Sequence, residues 1–311
     1  MKRDALFILA TLAACCTLVC CAVGVGTGLG DGGEAPAGRI VDHEFANVNG
    51  ITAARIANAK EKLVVAYWHT SHGSQLLTGI SGMDEFYGDM GWYTLNGTDG
   101  LKYTDCPPAD DDDTTIDAVD LGNPNRTAFE DTTRRYLDAN RDVNVVMWSW
   151  CGQAASALET DIDDYLARMS HLETDYPNVT FVYMTGHASG SGLLGNLHLR
   201  DQQIRDYCEA NGKWLYDFYD IECYDPDGVY YGDKHVTDGC NYDYNGSGTT
   251  TQTQTGDPAE PTDGDRNWAT DWQSAHSGGW WSCSAAHTKP LNANQKAKAV
   301  WQLWCAIADG M

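Results

Sequence analysis

Four nearly uninterrupted apolar runs set the rhythm of this chain: 62–68 (KLVVAYW), 143–148 (VNVVMW), 179–184 (VTFVYM) and 214–219 (WLYDFY). Runs of this length without polar alternation predict strands buried on both faces, as in a parallel sheet. Between them the apolar positions change to helical spacing. Phe129, Thr133, Tyr136 and Leu137 share one face, as do Leu158, Ile162, Tyr165, Leu166 and Met169, and then Leu197, Ile204 and Cys208. A closing helix carries Ala297, Val300, Trp301, Trp304 and Ile307 on one side, with Asn292 read as its cap and Gln295 as the N3 partner. Strands and helices in alternation predict a doubly wound α/β fold, whose sites lie at the carboxyl ends of the strands.

Two stretches break the rhythm. Residues 78–120 mix Gly, Tyr, Trp and the acidic run 110–113, and residues 222–282 are a long polar excursion; loops of this size usually shape a site or bind ions. The stretch 249–255 (TTTQTQT) is of low complexity. Asn241, Asp243 and Asn245 followed by Gly246 approximate the odd-position ligands of a calcium loop, and Asp225 and Asp227 before Gly228 form a second partial match. The same strings arise from ordinary Asx turns, so a structural calcium and a plain turn both stand.

The amino terminus reads as a targeting segment. Lys2 and Arg3 precede an apolar run, and Leu12-Ala13-Ala14-Cys15 has the ending at which bacterial lipoproteins are cleaved and lipidated. The uncharged stretch continues to residue 30, long enough to span a bilayer, so a lipid anchor and a single-helix anchor are both open. Residues 31–38 read as a tether and 39–311 as one α/β domain. The protein is thus expected to be exported, at a cell surface or in a periplasm, with membrane contact through this anchor only. The net charge of −24 argues against nucleic acid, which needs clustered Lys and Arg. Beyond the leader seven cysteines remain, of which Cys223 and Cys240, flanking one polar loop, are expected to pair in an oxidising compartment. No CxxC or HExxH spacing points to zinc.

The candidate chemistry lies in two distant segments, YWHTSHGSQ (67–75) after the first long strand and SAAHTKPLNANQKA (284–297) before the last helix. A serine and a histidine in these places can meet at one sheet edge as a nucleophile and its base. Ser71 is flanked by His69, His72 and Gly73, with Ser74 as its competitor; a serine here can also simply cap the next helix. His187, in MTGHASG after a strand, can line the same pocket. Trp148 and Trp150 point to one side of a strand, which suits core packing or, for Trp150, a platform for a sugar ring. Trp281, beside Trp280, is a candidate for an aromatic rim.

These pieces, taken in order over residues 62–308, resemble the SGNH (GDSL-like) hydrolase superfamily, and the strings YWHTSHGSQ, VVMWSWCGQ, NVTFVYMTGH, DPDGVYYGDKH and CSAAHTKPLN resemble an exported group within it. The resemblance implies a doubly wound, flavodoxin-like parallel sheet with long polar loop insertions. It places Ser71 as nucleophile and His287 as base, with oxyanion donors from Ser71, Gly122 in DLGNPNRT (120–127) and Gln153 in WSWCGQ (148–153). The superfamily usually carries Asp three residues before its histidine, where this chain has Ser284. Either Ser284 holds His287 by a neutral hydrogen bond, or a carboxylate arrives from the 262–276 loop to orient the base, with Asp271 the best candidate. The expectation is a serine esterase acting on an ester-bearing carbohydrate or another small acyl ester, needing no cofactor, with His69, His72, Trp150, His187 and Trp281 around the substrate. The alternative is a non-catalytic glycan-binding or adhesion protein on the same scaffold.

Overall fold

Alternate residues of each strand feed two separate apolar layers, and this double burial builds the sheet. The computed structural model describes residues 39–107, 121, 125–251, 260–262 and 264–311. The leader, the tether, the acidic run 110–113, Gly122 and part of the 249–255 repeat lie outside them. Six parallel strands, β1 (Ile40–Val41), β2 (Val64–Trp68), β3 (Lys102–Asp105), β4 (Val145–Trp148), β5 (Thr180–Met184) and β6 (Trp214–Tyr216), lie in the order β1-β6-β5-β4-β2-β3. A small antiparallel ladder joins β7 (Asn241–Tyr242) to β8 (Arg266–Asn267) inside the polar excursion. The helices are α1 (Ala53–Lys62), α2 (Ser74–Ile80), α3 (Met83–Phe86), α4 (Ala128–Ala139), α5 (Glu159–Asp175), α6 (Asn196–Asn211), α7 (Phe218–Glu222), α8 (Trp268–Ala275) and α9 (Pro290–Gly310).

Ala66, Trp68, Val146, Trp148, Phe181 and Tyr183 join one core with the apolar faces of α4, α5 and α6. Val65, Tyr67, Val145, Met147, Val182 and Met184 join the other with α1, α2 and α9. The fold is therefore the doubly wound, flavodoxin-like α/β arrangement. From β2 the chain runs to β3 on one side, then returns to lay β4 on the other side of β2. That reversal is a switch point, and doubly wound sheets place their ligands at the carboxyl ends of the strands beside it, here β2 and β4.

Three local expectations are corrected. The run 214–219 leaves the sheet after Tyr216, because the Asp217 carboxylate accepts the Asp220 amide at 3.1 Å and caps α7. The last helix starts at Pro290 rather than beside Asn292, with proline in the first position, where its missing N–H costs nothing. Asn292 and Gln295 lie within it, bonded instead to Thr288 Oγ1 at 2.8 Å and the Tyr224 carbonyl at 3.1 Å. α9 is buried on all sides from Leu291 to Ala308, and α2 meets it backbone to backbone. A Cβ on Gly79 would stand 2.0 Å from the Ala293 carbonyl oxygen, so no other residue fits there. Among the described residues no helix is long and apolar enough to cross a membrane.

The expected Cys223–Cys240 bridge is not formed. Both thiols are free and fully buried, Cys240 Sγ resting 3.5 Å from Thr288 Oγ1, and burial pushes the Cys240 thiol up to about 12. Thiols so placed behave as small core hydrophobes. Both cysteines should therefore resist alkylation in the native protein and alkylate fully in denaturant without reductant. A peptide map showing them linked would contradict this.

Candidate active site

β2 ends at Trp68, and residues 69–73 fold into a tight turn before α2. Only glycine permits that turn, since a Cβ on Gly73 would lie 2.1 Å from Ser149 Oγ and 2.6 Å from the Tyr67 hydroxyl. Ser71 Oγ then sits 2.9 Å from His287 Nε2, joining segments 216 residues apart in sequence. Ser74 does not compete for the histidine. Its hydroxyl donates to the Ser71 carbonyl at 2.7 Å and closes the turn.

His287 has a left-handed backbone, with φ at 62°. A non-glycine residue held there costs on the order of 1–3 kcal/mol and persists only when its surroundings over-determine it. Here they do. The Ala286 carbonyl accepts from Gln75 Nε2 at 2.7 Å, and Thr288 is tied to Asn292. Gln75 Oε1 in turn accepts from Lys296, whose ammonium also lies 2.5 Å from Glu222 Oε1. The second Glu222 oxygen accepts the Ala188 amide at 2.5 Å, beside His187. One buried ion pair thus secures the backbone next to two of the site histidines.

Three imidazoles stack face to face. His72 lies between His287, at 4.2 Å and 6°, and His187, at 3.8 Å and 5°. His72 Nε2 donates to Asp238 Oδ2 at 2.9 Å, and its Nδ1 lies 3.3 Å from Cys151 Sγ, which is itself 4.0 Å from Ser71 Oγ. Asp238 comes from the polar excursion, docked by its own amide on the Ala188 carbonyl at 2.8 Å. Burial lowers His72 to about 4; His187 and His287 reinforce the shift and Asp238 opposes it without reversing it. His72 is therefore neutral at pH 7, with its proton on Nε2 and its lone pair on the thiol side. Ligand-capable atoms of His72, His187 and Asp238 lie within 4.8 Å of one another. Their geometry opposes a metal: the lone pairs of two stacked rings lie in separate parallel planes that do not converge on one ion, and His187 Nδ1 donates to the Ala188 carbonyl at 3.0 Å.

The remaining sequence candidates are placed as follows. His69 donates from one nitrogen to Asp105 Oδ1 at 2.7 Å and from the other to the Thr70 carbonyl at 2.8 Å, which commits both N–H groups. Burial works against its charge, but Asp105 and Cys106 outweigh it and raise His69 to about 10. Gln153 Oε1 accepts the Cys151 amide at 3.1 Å, so what its side chain can still offer an oxyanion is Nε2. Gly122 lies outside the described residues. Asp271 is not brought to His287; it pairs with Arg266 at 2.9 Å and takes the Tyr242 hydroxyl at 3.4 Å. Ser284 is exposed. Trp150 is buried edge-on to Tyr165, with its indole N–H on the Met184 carbonyl at 3.0 Å, and Trp281 is buried with its N–H on the Gly79 carbonyl at 2.8 Å. Neither forms a platform.

Asp225 accepts the amides of Asp227 and Val229, Asp243 those of Gly246, Ser247 and Gly248, and Asn245 that of Ser247. Asn241 bonds Asn267 and the Thr251 carbonyl, and Asp227 lies 3.4 Å from His276. The oxygens read as calcium ligands are thus spent mainly on building turns. Sequence reasoning missed Asp238, Glu222 and Lys296. Cys151 stood inside a quoted string without a role, and its place at the end of the central strand was the available signal.

The two shifted histidines predict opposite pH responses. Raised His69 contributes stability that is complete below pH about 6.5 and is lost as pH climbs toward 10, whereas lowered His72 contributes stability lost as pH falls from about 6.5 to 4. Urea midpoints of His69→Gln should accordingly fall less than those of wild type between pH 7 and 9.5. Lys296→Ala, which leaves a buried carboxylate alone, should cost about 3–5 kcal/mol, and Lys296→Met combined with Glu222→Gln should recover much of that in the same unfolding measurement. No family model matches the chain, and no curated protein matches it.

Proposed function

We propose that the protein is an exported serine hydrolase that cleaves acyl esters of carbohydrates or other surface molecules. The observation that carries this reading is the 2.9 Å contact between Ser71 Oγ and His287 Nε2, beyond the carboxyl end of β2 at the switch point of the sheet. Ser71 attacks the ester carbonyl while His287 takes its proton and returns it to the departing alcohol; water then releases the acyl group by the same path in reverse. The Ser71 amide and Gln153 Nε2 are the donors assigned to the oxyanion. The order of the motifs, which resembles that of the SGNH hydrolases, supports these roles.

Among the described residues no carboxylate is paired with His287. Its ring lies instead face to face with His72, which carries Asp238. Export is supported by the basic, apolar, cysteine-terminated leader. The glycan-binding alternative leaned on Trp150 and Trp281, both of which are buried.

Against p-nitrophenyl acetate and acetylated glycans, Ser71→Ala and His287→Ala should each lower kcat by at least about 10³-fold, and Ser74→Ala should retain most activity. Gln153→Ala should lower kcat about 10²-fold with little change in KM. Equal turnover by wild type and Ser71→Ala would remove the proposal.

A further inference from the structure

We propose that Cys151 is a second nucleophile of this site, a thiol whose proton His72, oriented by Asp238, takes as the sulfur attacks the acyl group of an ester or thioester. This rests on the proposed function only in sharing its acyl substrates. Cys151 lies three residues beyond the end of β4, its sulfur 4.0 Å from Ser71 Oγ, and is half-buried rather than sealed. Its sulfur, the His72 ring and the Asp238 carboxylate stand in line at 3.3 and 2.9 Å. That is the order nucleophile, base, orienting acid.

The direction of the hydrogen bonds is fixed by what each group can do. A carboxylate only accepts, so His72 presents N–H to Asp238 and its Nδ1 lone pair to the thiol. Cys106 offers the contrast. It lies beside His69, whose nitrogens both donate, to Asp105 and to the Thr70 carbonyl, so that ring has no lone pair to take a proton. Cys208, Cys223, Cys240 and Cys305 are buried, and burial raises each of those thiols.

In the reaction the thiol proton passes to His72 Nδ1 as sulfur bonds to the carbonyl carbon. The bond from that carbon to the leaving oxygen or sulfur then breaks, and the leaving group takes the proton from His72. The thioester on Cys151 is cleared by water, whose proton travels through His72 back to the thiol. No electrons change hands, and Asp238 only holds the ring and balances its transient charge.

The test uses the full chain carrying Ser71→Ala, treated with p-nitrophenyl acetate. The expected result is a burst of one equivalent of nitrophenol, with an acetyl group mapped to Cys151 and removed by neutral hydroxylamine. Adding Cys151→Ala abolishes the burst, and adding Asp238→Asn slows it at least about 10-fold. If Asp238→Asn does not fold, the rate of iodoacetamide reaction at Cys151 in the wild type decides. It should exceed that of a denatured-chain cysteine by about 10-fold or more, and a rate at or below it overturns the inference. No acetyl on Cys151, or equal bursts with Asp238 and with Asn in its place, also overturns it. Turnover that depends on Ser71 without Cys151 acylation sinks this inference alone, and Cys151 acylation without Ser71-dependent turnover sinks only the serine reading.

Discussion

The buried pair of Lys296 and Glu222 is the constraint on which the arrangement of the site depends. Both groups are wholly removed from water, where each charge alone would be intolerable; burial drives Glu222 up and Lys296 down, and their contact is the main influence opposing this. Lys296 comes from the middle of α9, Glu222 from the last residue of α7, and Gln75 from α2, so three helices meet at one ammonium, which also lies 3.8 Å from the centre of the Phe218 ring. Apolar residues could fill this volume with equal or greater stability. They would not hold the Ala286 carbonyl through Gln75, nor the Ala188 amide through Glu222. The pair is better understood as fixing where two histidines stand than as a source of folding energy.

Around that anchor, the strand ends carry Ser71, His72, Cys151 and His187, and more distant loops bring up His287 and Asp238. Ser71 and Cys151 follow the adjacent strands β2 and β4, while His187 follows β5. His287 arrives just ahead of α9, and Asp238 comes from the polar excursion. The long insertion therefore has a task that its composition does not reveal: it carries the carboxylate that orients His72.

What was legible in the sequence followed from periodicity. The runs ending at Trp68, Trp148 and Met184 are strands because they are apolar on both faces, and both faces are covered. β1, with two residues, and β3, reading KYTD with mostly exposed positions, had no such signature. The parity that made Trp150 a platform candidate also put it on the side of Trp148, and α5 covers that side through Tyr165. Ser71 and His287 could be singled out by their places at a strand end and ahead of a helix. Asp238 could not, because in a segment crowded with aspartates only the folded loop decides which one meets an imidazole. Asp271, the candidate from the 262–276 loop, sits in the first turn of α8 and has Arg266 to neutralise it.

The face-to-face histidines have a consequence for timing. A proton arriving on one ring makes the adjoining ring harder to charge, since like charges about 4 Å apart repel across a dry contact. On the proposed reading, a proton taken from Ser71 by His287 would make His72 a poorer acceptor for the proton of Cys151. The two proposed nucleophiles would thereby take turns.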